Sequence, residues 1–311
     1  MNEAGLGPEA ATILGQIIAT NVPVKVDKKV EIHSFAHVDL GKNNLGNSGL
    51  ANLLKGIMRC DSLVSLDVGS NDIMIEGASH LFKTLKRHPS LSALNIANHD
   101  RLHRNRMGIG ACHDLRDCLA ENKVLSSLCI ADNRIGNEGL SIVAQALNSR
   151  CVLVIFNLSN NDLEGVAAID HLKAYLSTPK IPLLDLNLSH NKLGDAAIGK
   201  LADILSENHC RLKRLNLKAC QVTAQGAGRL FNRMRKSTSL QNLNLSSNDL
   251  SGPHLSSICN LLISAKQLKQ LLLSDCKLEL SAAEAIGFGL SKNTNLKHLD
   301  ISDNKFGENS F

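Results

Sequence analysis

The chain has 311 residues, of which 43% are hydrophobic and 20% charged, the balance of a folded globular protein. A net charge of +5 without long runs of like charge, no Trp and a single Tyr argue against a nucleic-acid-binding protein. The nine cysteines are scattered, the N-terminus lacks a signal peptide, and no apolar run reaches the roughly 18 residues of a membrane span. We therefore expect a cytoplasmic or nuclear protein that binds neither nucleic acid nor membranes.

The first predicted element is a helix in LGPEAATILGQII (6–18), which matches the helical half of a later unit, IGNEGLSIVAQAL (135–147). The chain thus begins partway through a unit, and the segment 20–35 is predicted to be an enlarged loop. The chain stops at DNKFGENSF, just past its last predicted strand. Neither end offers the polar cap of a terminal repeat, which leaves open that the chain is a fragment of a longer protein.

Between these ends a pattern L-x-x-L-x-L-x-x-(N/C)-x-L recurs, as in LVSLDVGSNDI (63–73) and LQNLNLSSNDL (240–250). The period-two core of each copy predicts a short strand with inward leucines, and the segment after it predicts a helix. We call the Asn/Cys position the slot, because a buried amide or thiol there can satisfy backbone groups of the turn. Counted along the sequence, the slot is filled by Asn43, Asn71, His99, Asn133, Asn161, Asn191, Cys220, Asn248, Cys276 and Asn304.

These copies resemble the leucine-rich repeat family, and the period of about 28 with its Asn/Cys alternation resembles the ribonuclease-inhibitor-like class. The resemblance covers essentially the whole chain. It implies an α/β leucine-rich repeat solenoid, a horseshoe with a parallel sheet on the concave face and helices on the convex face. We expect residues 1–311 to form a single domain of about ten strand–helix repeats plus a partial N-terminal repeat. Function does not follow from this fold alone.

The predicted concave face is acidic although the whole chain is basic. Its seven acids stand against Lys42, Arg214 and Lys218, a net charge near −4. One interpretation is a site that attracts a basic partner; the other is that Asp and Asn are simply common at these repeat positions. With Asn187, Arg214 and three arginines of a nearby loop, the acids form our predicted partner-binding set: Asp39, Asp67, Asp132, Asp185, Asn187, Arg214, Asp275, Asp300, Asp303, Arg101, Arg104 and Arg106.

One interval of 34 residues breaks the period at IANHDRLHRNRMGIG (96–110). On the count above, His99 fills the slot, Arg101 stands where Leu or Ile belongs, and about six extra residues lie between His99 and Cys112. Three interpretations remain open. The break is a plain surface insertion, which loops tolerate at little cost; a zinc site made by His99, His103, Cys112, His113 and Cys118; or a loop that contacts a GTPase.

The third interpretation comes from a resemblance to the GTPase-activating proteins for Ran, which are similar solenoids with an enlarged loop after an early strand. That resemblance implies roles for a loop arginine, here Arg104, and for an asparagine two repeats later, here Asn160. His103 occupies the expected place of the arginine, and the acidic C-terminal tail of that family is missing. We predict a non-enzymatic protein-interaction scaffold without cofactor or metal. Activation of a Ran-like small GTPase is the alternative.

Overall fold

The computed structural model describes residues 4–20, 24–26, 29–31, 35–98, 102–147, 151–178, 182–207, 210–235, 237–252 and 256–307. The chain divides into two compact units, Met1–Asn157 and Leu158–Phe311. Strands and helices alternate in both units, with the strands of each repeat only three residues long. That the two units act as one domain stays a prediction.

In the first unit an N-terminal helix and an antiparallel hairpin precede the repeats. The repeat strands pair in parallel, and each is joined to the next through a helix or a helix-containing connection. The elements are α1 (Gly7–Thr20), β1 (Val24–Val26), β2 (Lys29–Glu31), β3 (His37–Asp39), α2 (Gly46–Ile57), β4 (Ser65–Asp67), α3 (Ile75–Leu85), β5 (Ala93–Asn95), α4 (Cys112–Glu121), β6 (Ser127–Cys129), α5 (Gly136–Ala144) and β7 (Ile155–Asn157).

The second unit begins with a helix and continues the same alternation, again with parallel strand pairing. Its elements are α6 (Gly165–Leu176), β8 (Asp185–Asn187), α7 (Gly194–Leu205), β9 (Arg214–Asn216), α8 (Ala224–Met234), β10 (Asn242–Asn244), α9 (Ser256–Ser264), β11 (Gln270–Leu272), α10 (Leu280–Lys292) and β12 (His298–Asp300).

The middle residue of a typical strand is buried, and its neighbours on either side are half-exposed. Leu66, Leu94 and Leu128 stand in register in the first unit, as do Leu215 and Leu243 in the second. All five are at most 2% exposed. Each leucine row packs beneath the apolar faces of the helices, so neighbouring repeats bury the surface that one repeat alone would expose.

The slot asparagines hold the turns that follow the strands. Asn133 is fully buried between Asp132 and Arg134, both of which have positive φ. Its Nδ2 donates to the carbonyl oxygens of Ile96 (3.0 Å) and Ala131 (3.1 Å), and its Oδ1 accepts the N–H of Met107 (3.2 Å). One amide thus ties its own turn to the preceding repeat, because it supplies both donors and an acceptor.

A second row of buried polar side chains lies where helices lead back to strands, and the sequence pattern did not predict it. Asn122 Nδ2 donates to the carbonyl of Leu85 (2.7 Å), while its Oδ1 accepts the N–H of Leu125 (2.8 Å). Asn293 repeats the arrangement in the second unit. His88 does the same with its ring, Nε2 lying 3.2 Å from the carbonyl of Ile57 and Nδ1 accepting from Leu91.

The predicted α/β leucine-rich repeat solenoid with a parallel sheet is confirmed. None of the helices in the described part of the chain is long and apolar enough to cross a membrane.

Candidate partner-binding surface

The third residue of most repeat strands is Asp or Asn, and the structure gives it a local task. Its side-chain oxygen accepts the backbone N–H two residues on. The bond runs from Gly41 to Asp39 (3.0 Å), from Gly69 to Asp67 (2.8 Å), and likewise to Asn187 and Asp300. Because carboxylate and amide oxygens accept this bond equally, the turn favours both residue types and does not by itself select a charge.

In the first unit the predicted acids differ in how far they are neutralised. Asp132 is paired with Arg104 and mostly buried. Asp67 accepts the Nδ2 group of Asn95 on the neighbouring strand at 2.7 Å. Asp39 is exposed and forms no salt bridge among the residues that the structure describes. The acidic surface of this unit is therefore smaller than the sequence count suggested.

In the second unit Asp185 is paired with Arg214, whose Nε lies 2.7 Å from Oδ2. The other three acids, Asp275, Asp300 and Asp303, form no salt bridge within the described ranges, and Asp275 and Asp303 are exposed. Hydrogen bonds from the hydroxyl and the N–H of Ser302 hold the pKa of Asp300 below its usual value. None of the three is neutralised by a salt bridge in the described part of the chain, although Lys277 acts electrostatically on Asp275 and His298 on Asp300.

The half-exposed residues of β8–β11 line a shallow depression of about 200 Å³. Asn216 and Asn244 stand in register there, with Asn187 as the next residue of the same row. The row continues to Leu272 and Asp300. Four amide side chains, three leucines and the Asp185–Arg214 ion pair line the depression, and the carboxylate of Asp300 lies beyond Leu272 in the same row. Such a surface offers many hydrogen bonds and one region of negative charge.

The inserted segment of the first unit corrects our placement of the slot. Asn105 fills it: its Nδ2 donates to the carbonyls of Val68 (3.0 Å) and Ile96 (3.1 Å), and its Oδ1 accepts the N–H of Asn71 and of Ile73, both at 2.9 Å. The slot assignment of His99 was therefore wrong. The extra residues precede the slot rather than follow it.

Met107, fully buried, takes the apolar position that was assigned to Arg101. A signal for the correct phase was present, since Asn105-Arg-Met-Gly108 closely repeats Asn133-Arg-Ile-Gly136. The predicted residues His99 and Arg101 themselves lie outside the described residues.

Asn98 is hydrogen-bonded to Asn105 where the inserted loop leaves and rejoins the repeat, and we call this pair the neck of the loop. Asn98 Nδ2 donates to the carbonyl of Asn105 (2.9 Å), and its Oδ1 accepts the N–H of the same residue (2.6 Å). From this neck the loop is held on both sides. His103 Nδ1 lies 2.7 Å from Asp72 Oδ2, and Arg104 pairs with Asp132. The loop is thus an ordered excursion in its described part, and Arg106 at its end is exposed.

Of the residues proposed for zinc, the four that the structure describes are not gathered into a site. No group of three or more His, Cys, Asp or Glu among the described residues could hold a metal ion. Cys112 and Cys118 are buried in α4, and burial raises the pKa of each thiol to about 12. Neither is therefore a ready thiolate, the form that binds zinc.

The two residues of the GTPase alternative lie in different units. Arg104 belongs to the first and is bound to Asp132. Asn160 belongs to the second, where it is exposed with φ of +51° and its N–H donates to the carbonyl of Ser189 (2.9 Å).

Comparison with known proteins matches this architecture. One family model, described as "Leucine Rich repeat", matches residues 121–144, 181–202 and 292–309. A second, described as "Leucine Rich Repeat", matches residues 239–261. The ribonuclease inhibitor of Mus musculus is 31% identical over 200 residues, which is 63% of this chain and 43% of the relative. NACHT, LRR and PYD domains-containing protein 12 of Homo sapiens is 31% identical over 210 residues, 67% of this chain and 20% of the relative.

Among solved structures, the leucine-rich repeat-containing protein LegL7 from Legionella pneumophila aligns with a TM-score of 0.54 and 21% identity, covering 85% of this chain and 82% of that one. This likeness concerns the fold alone. The chain is a leucine-rich repeat protein of the ribonuclease-inhibitor-like class. It spans less than half the length of the ribonuclease inhibitor that it matches.

Proposed function

We propose that this chain is a protein-interaction scaffold and that the half-exposed sheet residues of its second unit bind a basic segment of a protein partner. The observation that carries the proposal is the contrast among the acids of that unit. Asp185 is neutralised by Arg214, whereas Asp275, Asp300 and Asp303 form no salt bridge within the described residues. A carboxylate that forms no salt bridge within its own chain keeps its charge available for a partner.

The amide-lined depression supports the same conclusion. Asn216, Asn242 and Asn244 can each donate and accept hydrogen bonds, as recognition of an extended peptide or a polar loop requires. A ribonuclease inhibitor is by its name a protein that acts on another protein, which supports protein binding as the general mode. Aromatic anchors are missing from the residues that line the depression, so we expect charge and hydrogen bonds to contribute more than buried rings.

The test uses a charge change that leaves the turns intact. We would capture partners from lysate, then measure association kinetics with the variant Asp275→Asn, Asp300→Asn, Asp303→Asn. Asn is the natural residue at five positions equivalent to Asp300 and, as Asn160, at one position equivalent to Asp275 and Asp303, so folding should be preserved. We expect association with a true partner to slow about tenfold at low salt and its salt dependence to flatten.

The matched control neutralises three glutamates in or beside the helices of the same unit, Glu207→Gln, Glu279→Gln and Glu284→Gln. It changes net charge equally and should leave the rate nearly unchanged. An equal loss in both variants would show that overall charge, not this surface, governs association.

Activation of a Ran-like GTPase stays a prediction. Because Arg104 is engaged by Asp132, it would have to leave that pair to contact a GTPase. Single-turnover GTP hydrolysis by Ran in the presence of excess chain tests it, and an unchanged hydrolysis rate would remove it.

A further inference from the structure

A second surface of opposite character lies in the first unit, beside the inserted loop. Met74, Ile75 and Ile109 are exposed apolar side chains, and the side chain of Ile75 is 48% exposed. Among these, Met74 and Ile75 begin α3, and Ile109 lies just before α4. We call these three residues the loop patch. Leu102, 71% exposed in the inserted loop, adds further apolar surface to the same segment of the chain.

The three residues are brought together by the backbone of the insertion. A β-carbon placed on Gly110 would lie 2.8 Å from Cγ2 of Ile75, and one placed on Gly108 would lie 3.8 Å from its Cδ1. Ile75 therefore rests on the glycine-flanked backbone on either side of Ile109. Met74 is joined to the same segment through a parallel bridge to Arg106. The three residues are therefore neighbours on one part of the first unit.

The repeat pattern does not call for apolar residues here. Ile75 and Ile109 stand four positions after the slot residues Asn71 and Asn105. In the flanking repeats of the same unit, the equivalent positions are Asn47 and Asn137. The core does not need this surface either, since the buried faces of α3 and α4 are supplied by other residues, including Leu81 and Leu115. Exposed apolar residues that neither the repeat nor the core requires are typical of a contact surface.

The charges beside the patch define the partner. Arg106 and Arg134 hold equivalent positions one residue after their slots, are exposed, and form no salt bridge within the described ranges. Two further polar groups nearby already have partners: Arg104 pairs with Asp132, and His103 Nδ1 contacts Asp72 Oδ2. Glu76, the next residue along α3, places a negative charge on the helix side of the patch. The net effect is a positive border on the loop side of an apolar surface.

From this juxtaposition we infer that the loop patch, with Arg106 and Arg134, binds a protein segment in which aliphatic side chains stand next to carboxylates. The aliphatic groups bury against Ile75 and Ile109, and the carboxylates pair with the two guanidinium groups, which bind them in a bidentate geometry. This surface is separate from the acidic residues of the second unit and calls for the opposite partner charge.

The experiment measures fluorescence anisotropy of a short labelled peptide in which leucines alternate with glutamates. Ile75→Asn with Ile109→Asn installs the residues of the flanking repeats, and we expect affinity to fall about tenfold or more. Arg106→Gln with Arg134→Gln, which changes no apolar contact, should weaken binding and flatten its salt dependence. The controls Met58→Ser and Arg59→Gln alter exposed residues at the end of α2 in the same unit and should bind as the unmodified chain does.

Equal binding of a peptide with serines for the leucines would overturn the proposal, as would tighter binding of a lysine-for-glutamate peptide. Unchanged binding by both double variants would do the same. Sedimentation is run in parallel. A dimer that the double Asn variant dissociates would assign the patch to a second copy of this chain and would also overturn it.

Discussion

The two units share their inward residues and differ in what their strands show outward. The first residue of the strands makes the contrast plain from β4 onwards, since β3 itself begins with the imidazole of His37. In the first unit, β4–β7 present small or aliphatic residues, whereas in the second, β8–β12 present charged, amide and imidazole groups. The first set is Ser65, Ala93, Ser127 and Ile155, and the second is Asp185, Arg214, Asn242, Gln270 and His298. The repeat constrains the core and leaves the outward rows free to diverge.

The slots differ as well. Asn43, Asn71, Asn105 and Asn133 fill the four slots of the first unit, whereas Cys220 and Cys276 alternate with asparagines in the second. An asparagine bonds in both directions, as Asn105 does with four backbone groups. Cys276 offers one thiol, which donates to the carbonyl of Leu245 at 3.2 Å. The turns of the second unit are thus held by fewer bonds at alternate repeats.

The largest expected effect tests whether the shared core is equally important in both units. Leu66→Ala in β4 and Leu243→Ala in β10 each remove a side chain that is 1% exposed. Each should lower the free energy of unfolding by about 2–5 kcal/mol, measured by denaturant titration. A loss under about 1 kcal/mol in only one unit would show that the two cores are not equivalent.

The next effect concerns the slots. Asn105→Ala removes the acceptor of two buried N–H groups and the donor to the Val68 carbonyl, while the Ile96 carbonyl keeps its bond from Asn133. It should cost about 3 kcal/mol of unfolding free energy. Cys276→Ala removes one weak donor and should cost about 1 kcal/mol. Thermal and denaturant unfolding of both variants, with Asn105→Cys as the intermediate case, would measure the difference. Equal losses for Asn105→Ala and Cys276→Ala would contradict the distinction.

The smallest expected effect is a difference between the units in how the free energy of unfolding depends on pH. Burial lowers the pKa of His88 from its ordinary value of 6.5, because desolvation disfavours the charged imidazole. Its contribution to stability is therefore complete above pH 6.5 and is lost as the pH falls from there towards its folded-state pKa. Asn293, the described counterpart in the second unit, does not titrate.

The variant His88→Asn copies that counterpart and should flatten the decline of unfolding free energy between about pH 7 and pH 5. Exposed His298→Asn serves as the control and should leave the decline unchanged. If His88→Asn declines as steeply as the unmodified chain, His88 is not the group that titrates.

The sequence predicted the strands, the helices and the inward leucines because these repeat with a fixed period. It failed where the period breaks, since an interval of 34 residues does not say on which side of the slot the extra residues lie. Once Asn105 is taken as the slot residue, Arg104 and Asp132 occupy equivalent positions of consecutive repeats. Asp185 and Arg214 are also equivalent, although their repeats are one residue further apart. The Arg104–Asp132 pair follows from the corrected phase, whereas the Asp185–Arg214 pair lies where the phase was already correct. The row of His88, Asn122 and Asn293 was missed because its position, 17 residues after the slots Asn71, Asn105 and Cys276, is filled by other residue types in other repeats.

The neck formed by Asn98 and Asn105 separates the inserted loop from the repeat that carries it. On one side of the neck, the N–H of Asn98 donates to the carbonyl of Ala131 in the next repeat. On the other side, Asn105 fills the slot. The residues between them can consequently change in length or composition while the register of the repeats stays the same. This position is a natural place for grafting foreign peptides into the scaffold, with Asn98 and Asn105 as the fixed anchors.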